Sequence, residues 1–258
     1  MQAAPLDFSL KGKKLYFASD FHLGAPNETE SKIREKRIIR WLDSISNDAA
    51  AIFLVGDIFD FWFEYGEVIP KGFIPFISKI SQIREQGVPI LFFTGNHDLW
   101  MKDYFTRELG IPVYHHPIVL SVEGKKILIG HGDGLGQGDN SYKFLKTVFT
   151  NPFANWLFRW LHPDLGVKLA KAWSSRSRIT NMGKNENRFM NEDEWLWQYC
   201  KDLESRFHHD FYIFGHRHLP LELPVGEKST YFNLGEWVSQ NTYLEFDAAG
   251  GKLLTFEK

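Results

Sequence analysis

The sequence predicts an α/β fold with partly parallel strands. Three observations favour this class: short apolar runs alternate with stretches of helical periodicity, the runs are rich in β-branched and aromatic residues, and nearly every run ends in a polar cluster that contains glycine. Loops at the carboxyl ends of parallel strands are where α/β proteins bind ligands. The polar clusters are therefore the first places to search for function.

The predicted elements follow one another in a regular order. Strand-like runs at 15–18, 50–55, 88–93 and 127–129 make up the first half, with helical spacing over 31–46 and 73–86. Gly87 follows the second helical stretch as a C-cap. Strand-like runs return at 211–214, 231–234, 242–246 and 253–256, and residues 249–251 predict a hairpin turn between the last two.

Composition bounds the class of protein. The chain has 258 residues, 43% hydrophobic, with a net charge of −2, so we expect a single domain over 1–258 and no nucleic-acid partner. Its one cysteine, Cys200, excludes an intrachain disulfide and zinc sites built on several thiolates. No apolar stretch reaches the roughly 18 residues of a membrane-spanning helix and no secretory signal is evident. These features predict a cytoplasmic protein, soluble or peripheral, and no protein partner is evident.

Residues 139–208 are expected to form a helical insertion. Residues 143–180 carry seven basic side chains against one acidic one, and the first half of the insertion is rich in tryptophan and phenylalanine. One interpretation is a lid that contacts a lipid substrate and an anionic membrane surface. The other is an ordinary aromatic core with a solvated basic face.

Five polar clusters carry residues that ligate metals. They are Asp-Phe-His at 20–22, Gly-Asp at 56–57, Gly-Asn-His-Asp at 95–98, Gly-His-Gly-Asp at 130–133 and Gly-His-Arg-His at 215–218. A single histidine after a strand is usually a cap or a surface residue, but five such clusters in succession favour a metal site. Carboxylate, carboxamide and imidazole together suit Mn²⁺, Fe²⁺ or Zn²⁺ rather than Ca²⁺.

Spacing within the clusters suggests how the ligands converge. In an extended segment, residues two apart point to the same side, so Asp20 and His22 can reach one site, as can His216 and His218. The carboxylate of Asp57 has two oxygens and could bridge two ions. Two adjacent ions that clamp a phosphate and activate water are typical of phosphate hydrolases.

The ordered clusters resemble the calcineurin-like metallophosphoesterases over residues 13–247. The resemblance implies a four-layer α/β/β/α sandwich of two mixed sheets with flanking helices. It also implies two divalent ions with Asp57 as the bridge. The first ion would be held by Asp20, His22, Asp57 and His218, and the second by Asp57, Asn96, His131 and His216.

Within this superfamily, three segments resemble the UDP-2,3-diacylglucosamine hydrolases of lipid A biosynthesis: residues 20–24, residues 56–62, and residues 131–135 followed by Asp139 and Tyr142. That resemblance implies a Mn²⁺-dependent enzyme, peripheral on the inner face of the inner membrane. Its reaction would convert UDP-2,3-diacylglucosamine to 2,3-diacylglucosamine 1-phosphate and UMP. The chain has Gly-Asn-His-Asp where that family often has Gly-Asn-Arg-Asp, and the alternative is another nucleotide or phosphodiester substrate.

Catalytic and substrate-binding roles complete the prediction. His97 is expected to act as a general acid or to balance charge on a phosphoryl oxygen, held in place by Asp98. Alternatively, His97 only orients Asn96. The substrate contacts are predicted at Asn96, His97, Asp139, Arg176, Arg178 and His216, and the surface histidines at His115, His116, His208 and His209. A non-catalytic scaffold would have eroded ligands, whereas all seven predicted ligand positions hold competent residues.

Overall fold

The computed structural model describes residues 5–136, 140–170 and 188–257, with the backbone alone at residues 140–142, 144 and 145. Strands and helices alternate through the first half of these ranges. The strands are β1 (Leu6–Phe8), β2 (Lys14–Ala18), β3 (Ala49–Val55), β4 (Ile90–Phe93), β5 (Val113–Tyr114), β6 (Ile118–Val122), β7 (Lys125–Gly130), β8 (Phe211–Phe214), β9 (Pro220–Val225), β10 (Ser229–Leu234), β11 (Thr242–Asp247) and β12 (Gly250–Thr255). The helices are α1 (Glu28–Ile45), α2 (Ile74–Glu85), α3 (Tyr104–Leu109), α4 (Asn140–Thr150), α5 (Pro152–Arg159), α6 (residues 163–170) and α7 (Trp195–Glu204), with a 3₁₀ turn at Asn191–Asp193.

The strands form two mixed sheets of six. The first sheet has the order β12-β11-β2-β3-β4-β5, in which β2 to β5 are parallel and β11 and β12 are antiparallel to their neighbours. The second has the order β1-β6-β7-β8-β10-β9, in which β7, β8 and β10 are parallel. The parallel strands of each sheet deliver their following loops to one edge.

Both faces of the central strands are buried. In β2, Leu15 and Phe17 pack between the two sheets, whereas Tyr16 and Ala18 pack against the helices on the outer face. The alternation repeats along β3 and β4. Burial on both faces explains why these strands are continuous apolar runs in the sequence.

Helices cover the outer faces of both sheets. Apolar side chains of α1, α2 and α3 pack on the first sheet, and Leu196 and Cys200 of α7 pack on the second beside Tyr212 and Phe214. The layers are therefore helix, sheet, sheet and helix. The predicted four-layer α/β/β/α sandwich is confirmed.

Along the chain, helices α4 to α7 follow β7 and precede β8. Phe158 and Ala170 of this region pack on Phe61 and Phe63, in the loop after β3. The exact limits of the insertion, 139–208, stay a prediction. Among the described residues, no helix combines the length and apolar character needed to cross a membrane.

Candidate metal centre

The predicted metal ligands follow strands of both sheets. Asp20, Asp57 and Asn96 come two or three residues after β2, β3 and β4 of the first sheet, whereas His131 and His216 come after β7 and β8 of the second. A hydrogen bond from the Nδ1–H of His131 to the carbonyl of Val55 (2.9 Å) joins the two sheets at this edge. The edge therefore collects polar side chains from both halves of the fold.

The first group of converging donors consists of Asp20, His22, Asp57 and His218. The Nε2 atoms of His22 and His218 lie 3.1 Å apart, and Nε2 of His218 is also 3.1 Å from Oδ1 of Asp20. Oδ2 of Asp57 is 3.9 Å from Nε2 of His22. Donor atoms that share one divalent ion at about 2.0–2.2 Å lie roughly 3–4 Å from one another, so these separations fit a common ion.

The second group consists of Asp57, His131 and His216. Nε2 of His131 lies 3.4 Å from Oδ2 of Asp57, and the rings of His131 and His216 have centroids 5.2 Å apart. Asp57 belongs to both groups. A bridging carboxylate between two adjacent cation sites has this geometry.

Several buried side-chain atoms in this region make no hydrogen bond, among them Oδ1 of Asn96 and Nε2 of His131. Buried polar atoms are nearly always paired, because an unpaired one costs about 1–3 kcal/mol. Both atoms are metal-ligand types, and they lie among carboxylates and imidazoles. The donor set therefore suits divalent cations.

The ligand loops adopt a strained backbone conformation. Five predicted ligands have positive φ angles: Asp20 (56°), His22 (44°), Asp57 (54°), His216 (67°) and His218 (53°). The left-handed region is uncommon for residues other than glycine and costs of the order of 1–3 kcal/mol each when the surroundings impose it. The prediction that Asp20 and His22 converge along an extended segment was wrong, because a tight left-handed turn brings them together. His216 and His218, also predicted to reach one site, fall in different groups.

Two glycines allow these loops to approach closely. A Cβ atom on Gly56 would lie closer than 3.0 Å to the ring of His131, and a Cβ on Gly95 would overlap the carboxylate of Asp57. Glycine is therefore required at both positions for the ligands to occupy their places.

Asp98 organises the loops of Asp57 and Asn96. Its carboxylate accepts hydrogen bonds from the amides of Gly95 (2.7 Å), Ile58 (2.8 Å), Asp57 (3.3 Å) and Phe59 (3.3 Å). These four contacts direct the carboxylate to the backbone, and the role of Asp98 in holding His97 stays a prediction. Asp98 fixes the two loops that carry the ligands.

Asp60, which was not predicted from the sequence, is a neighbour of two site histidines. Nδ1 of His97 lies 3.1 Å from the carbonyl of Asp60 and 3.7 Å from its carboxylate, and Nδ1 of His22 lies 3.8 Å from the same carboxylate. The amide of His97 donates to Oδ1 of Asp57 (2.8 Å). Asp60 lies within residues 56–62, a segment that resembles the UDP-2,3-diacylglucosamine hydrolases, and this position could have marked it as a site residue.

A buried ion pair supports the loop of His216 and His218. Nε of Arg217 donates to Oε1 of Glu194 at 2.7 Å, and both side chains are almost fully buried. The pair ties the turn between the two histidines to the start of α7. Arg217 was not predicted, because the sequence alone does not show that an arginine will be buried against a carboxylate 23 residues away.

The charges in the site favour the ligating protonation state at Asp57 and His216 but oppose it at His131. Burial opposes ionisation of Asp57, but the imidazoles of His131 and His97 outweigh it and hold the pKa of Asp57 well below its usual range. Burial and the neighbouring His131 lower the pKa of His216 to about 4. Burial would also lower the pKa of His131, but the carboxylates of Asp57 and Asp20 raise it to about 10. Because ligation requires a neutral imidazole, binding of a cation at His131 would release a proton.

The remaining predicted residues have mixed outcomes. Asp139, Arg176 and Arg178 lie outside the described residues. The prediction of His209 as a surface residue was wrong: it is 4% exposed and packs on Tyr212. His115, His116 and His208 are exposed, as predicted.

An apolar cavity of about 250 Å³ lies beneath the insertion helices. It is lined by Trp100, Val148, Phe149, Ala154, Asn155, Phe158, Leu169 and Ala170. Trp100 comes two residues after Asp98, and its indole donates to the carbonyl of Phe149 at 3.0 Å. The cavity therefore adjoins the loop that carries Asn96 and His97.

The sequence profile of the family described as calcineurin-like phosphoesterase matches residues 13–220. The chain belongs to the calcineurin-like phosphoesterases. This phosphoesterase is 38% identical over 246 residues to the UDP-2,3-diacylglucosamine hydrolase of Porphyromonas gingivalis, an alignment that covers 91% of this chain and 94% of that protein. It is also 29% identical to the hydrolases of the same name from Photorhabdus laumondii and Pseudomonas aeruginosa, each over 93% of this chain and 98% of the relative.

Proposed function

We propose that this phosphoesterase hydrolyses the pyrophosphate bond of UDP-2,3-diacylglucosamine, giving 2,3-diacylglucosamine 1-phosphate and UMP. The observation that carries the proposal is a pair of donor groups that share Asp57 beside an apolar cavity. The donor groups suit phosphate chemistry, and the cavity suits an acylated substrate. Similarity to relatives named UDP-2,3-diacylglucosamine hydrolase supports the same substrate.

We infer that two divalent ions occupy the two groups, and we propose Mn²⁺ as the metal. Asp20, His22, Asp57 and His218 would hold the first ion, and Asp57, Asn96, His131 and His216 the second. When bound, such a pair supplies an activated water and offsets charge on the phosphate oxygens. Oxygen and imidazole donors without thiolate support Mn²⁺ over softer ions.

The protein's own residues would position the phosphate and its charge. In the proposal, His97 balances negative charge on a phosphoryl oxygen, since its ring lies beside the first group with centroids 4.8 Å from His22. Asp98 keeps its loop in place through backbone amides. Asn96, His97 and His216 would contact the phosphate, and Asp139, Arg176 and Arg178 the remainder of the headgroup.

A membrane surface is the proposed source of the substrate. Phe153 and Trp156 of α5 and Trp160 at its C-cap are 65%, 53% and 75% exposed, next to basic Arg159. Phe153 stacks on Trp156, and Trp156 meets Trp160 edge-to-face. Exposed aromatic side chains beside basic ones are typical of helices that lie on anionic membranes. We propose that α5 rests on the inner face of the inner membrane as a peripheral contact.

A direct assay tests the function. Metal-free protein is reconstituted with Mn²⁺ and incubated with UDP-2,3-diacylglucosamine, with bis(p-nitrophenyl) phosphate and with a cyclic nucleotide, and products are identified by mass spectrometry. We expect UMP and the lipid 1-phosphate from the first substrate at a kcat/KM far above the other two. Preferential hydrolysis of a soluble phosphodiester would instead support the alternative substrate class.

A further inference from the structure

The cleft beside the metal centre contains chemically different parts. A polar cavity of about 170 Å³ is bounded by Thr94, His115, His116, His131, Asp133 and Lys146 among its lining residues. A cavity of about 390 Å³ adjoins it, sharing His115 with the polar cavity, and sharing Trp100 and Phe149 with the apolar one. The three cavities therefore form a connected series, in which the polar cavity borders His131 of the second donor group and the apolar cavity lies at the other end.

The polar cavity offers groups that recognise a nucleotide. The exposed imidazoles of His115 and His116 present flat rings, and Oγ1 of Thr94 lies 3.4 Å from Nδ1 of His115. The ammonium of Lys146 lies 2.6 Å from the carboxylate of Asp133, so the wall carries a charged pair with no net charge. Flat rings stack on a base, while hydroxyl and charged groups bind a ribose and a phosphate.

The apolar cavity also has aromatic rings, but among its described lining residues none carries a charge or a hydroxyl group. Phe158, Leu169 and Ala170 line it, and Leu169 is half exposed. Burying hydrocarbon against such a surface is favourable, whereas moving a base or a ribose from water to it is unfavourable. A substrate with a nucleotide at one end and acyl chains at the other would be oriented by this difference.

The geometry points to the polar cavity as the subsite for the uridine nucleotide. The inference rests on the proposed function and adds an orientation to it. UMP departs from the side of His115 and His116, and the acylated sugar phosphate remains on the side of the insertion helices. Because His131 bounds the same cavity, the α-phosphate of the nucleotide lies next to the second donor group.

The test is binding of UMP to the full chain in the presence of Mn²⁺, measured by equilibrium dialysis. We expect the double variant His115→Ala, His116→Ala to raise the Kd for UMP by roughly tenfold or more, as loss of base stacking predicts. His115→Phe keeps a flat ring and should therefore bind UMP more tightly than the double alanine variant does. Leu169→Ala, in the apolar cavity, and His162→Ala, an exposed histidine elsewhere in the insertion, should bind UMP as the wild type does.

Two results would overturn the subsite: unchanged UMP affinity in the double variant, or wild-type protein that does not bind UMP at millimolar concentration. Turnover of UDP-2,3-diacylglucosamine by the wild type separates this question from the proposed function. If the wild type hydrolyses the lipid while the double variant binds UMP normally, only the subsite fails. If UMP binding depends on His115 and His116 but the lipid is not hydrolysed, the proposed substrate fails and the nucleotide subsite stands.

Discussion

At the scale of single residues, Asp57 has the largest expected effect because it belongs to both donor groups. We expect Asp57→Ala to lower kcat by more than about 10³-fold, equivalent to about 4 kcal/mol of transition-state stabilisation. Bound Mn²⁺, measured by mass spectrometry of the metal, should fall at the same time. Asp7→Ala, at an exposed position in β1, is the control. Wild-type turnover by Asp57→Ala in excess Mn²⁺ would refute the bridge.

His97 differs from the metal ligands in its expected signature. His97→Ala should lower kcat by about 10²–10⁴-fold, the usual contribution of a positioned acid or charge-balancing group. Mn²⁺ content should change little, because the donor groups of Asp57 remain. An unaltered kcat would support the alternative in which His97 only orients Asn96.

Glu204 predicts a pH dependence of stability far from the site. Partial burial raises its pKa, but hydrogen bonds from His208, Tyr212, the amide of His209 and Ser229 outweigh this and lower the pKa to about 2. A carboxyl group whose pKa falls on folding stabilises the protein above its unfolded pKa of about 4.3. That contribution is lost as the pH falls through about 2.

Glu204→Gln should therefore lower the free energy of unfolding by about 1–2 kcal/mol at pH 6, and by less at pH 3. Urea denaturation of both proteins at the two pH values measures the difference. An equal difference at pH 6 and pH 3 would contradict the role assigned to the charge.

The residue types of the site were predictable, but their neighbours were not. Residues such as His131 and His216 stand directly after apolar strands, which marks them in the sequence. Asp98 and Arg217 are equally prominent in their motifs, yet they bind backbone amides and Glu194 respectively. Those partners depend on loop conformations, including left-handed ones, that residue spacing does not encode.

At the scale of elements, the sequence predicted strands that are buried on both faces and missed several at the sheet edges. β3 and β8 are continuous apolar runs and were located to within about one residue. β5 has two residues and β9 contains two prolines, so neither carries a strand pattern. Short edge strands are held by their neighbours in the sheet rather than by their own composition.

Helix α5 carries the prediction for membrane binding. Asn151 caps it by accepting hydrogen bonds from the amides of Phe153 and Ala154, so its aromatic face is set by a well-formed helix. Replacing Trp156 and Trp160 with alanine should weaken binding to vesicles that contain phosphatidylglycerol by about tenfold or more, because each indole loses apolar contact area. Co-sedimentation with vesicles measures the change.

Phe207→Ala is the matched control, since Phe207 is an exposed aromatic residue outside α5. It should bind vesicles as the wild type does. Equal binding by the tryptophan variant and the wild type would remove α5 from the proposed membrane contact.

At the scale of the whole molecule, the donor groups combine loops from both sheets. Asp57 follows the first sheet, and His131 and His216 follow the second. Nothing in the sequence states which strands become neighbours across the sandwich, so the ligand pairing entered only through the family resemblance. A cation shared by both sheets would link the two layers directly.

This arrangement predicts that metal stabilises the entire fold. At a free Mn²⁺ concentration about 100 times the Kd, binding to the native state alone adds about 2.7 kcal/mol. For a chain of this length, that corresponds to an increase in Tm of roughly 5–10 °C. Differential scanning calorimetry of chelator-treated and Mn²⁺-loaded protein measures it, with Asp57→Ala as the variant in which the increase should be largely lost. Identical Tm values in the wild type would contradict a cation between the sheets.

The close approach of Gly56 to His131 and of Gly95 to Asp57 also bears on which ions the protein discriminates against. Main chain stands directly behind both side chains, so neither can retreat to enlarge its coordination sphere. Ca²⁺ requires six to eight oxygen atoms at about 2.3–2.6 Å and tolerates few nitrogen donors. A rigid site with two imidazoles in each donor group and little room to expand would therefore exclude Ca²⁺ by size and hardness.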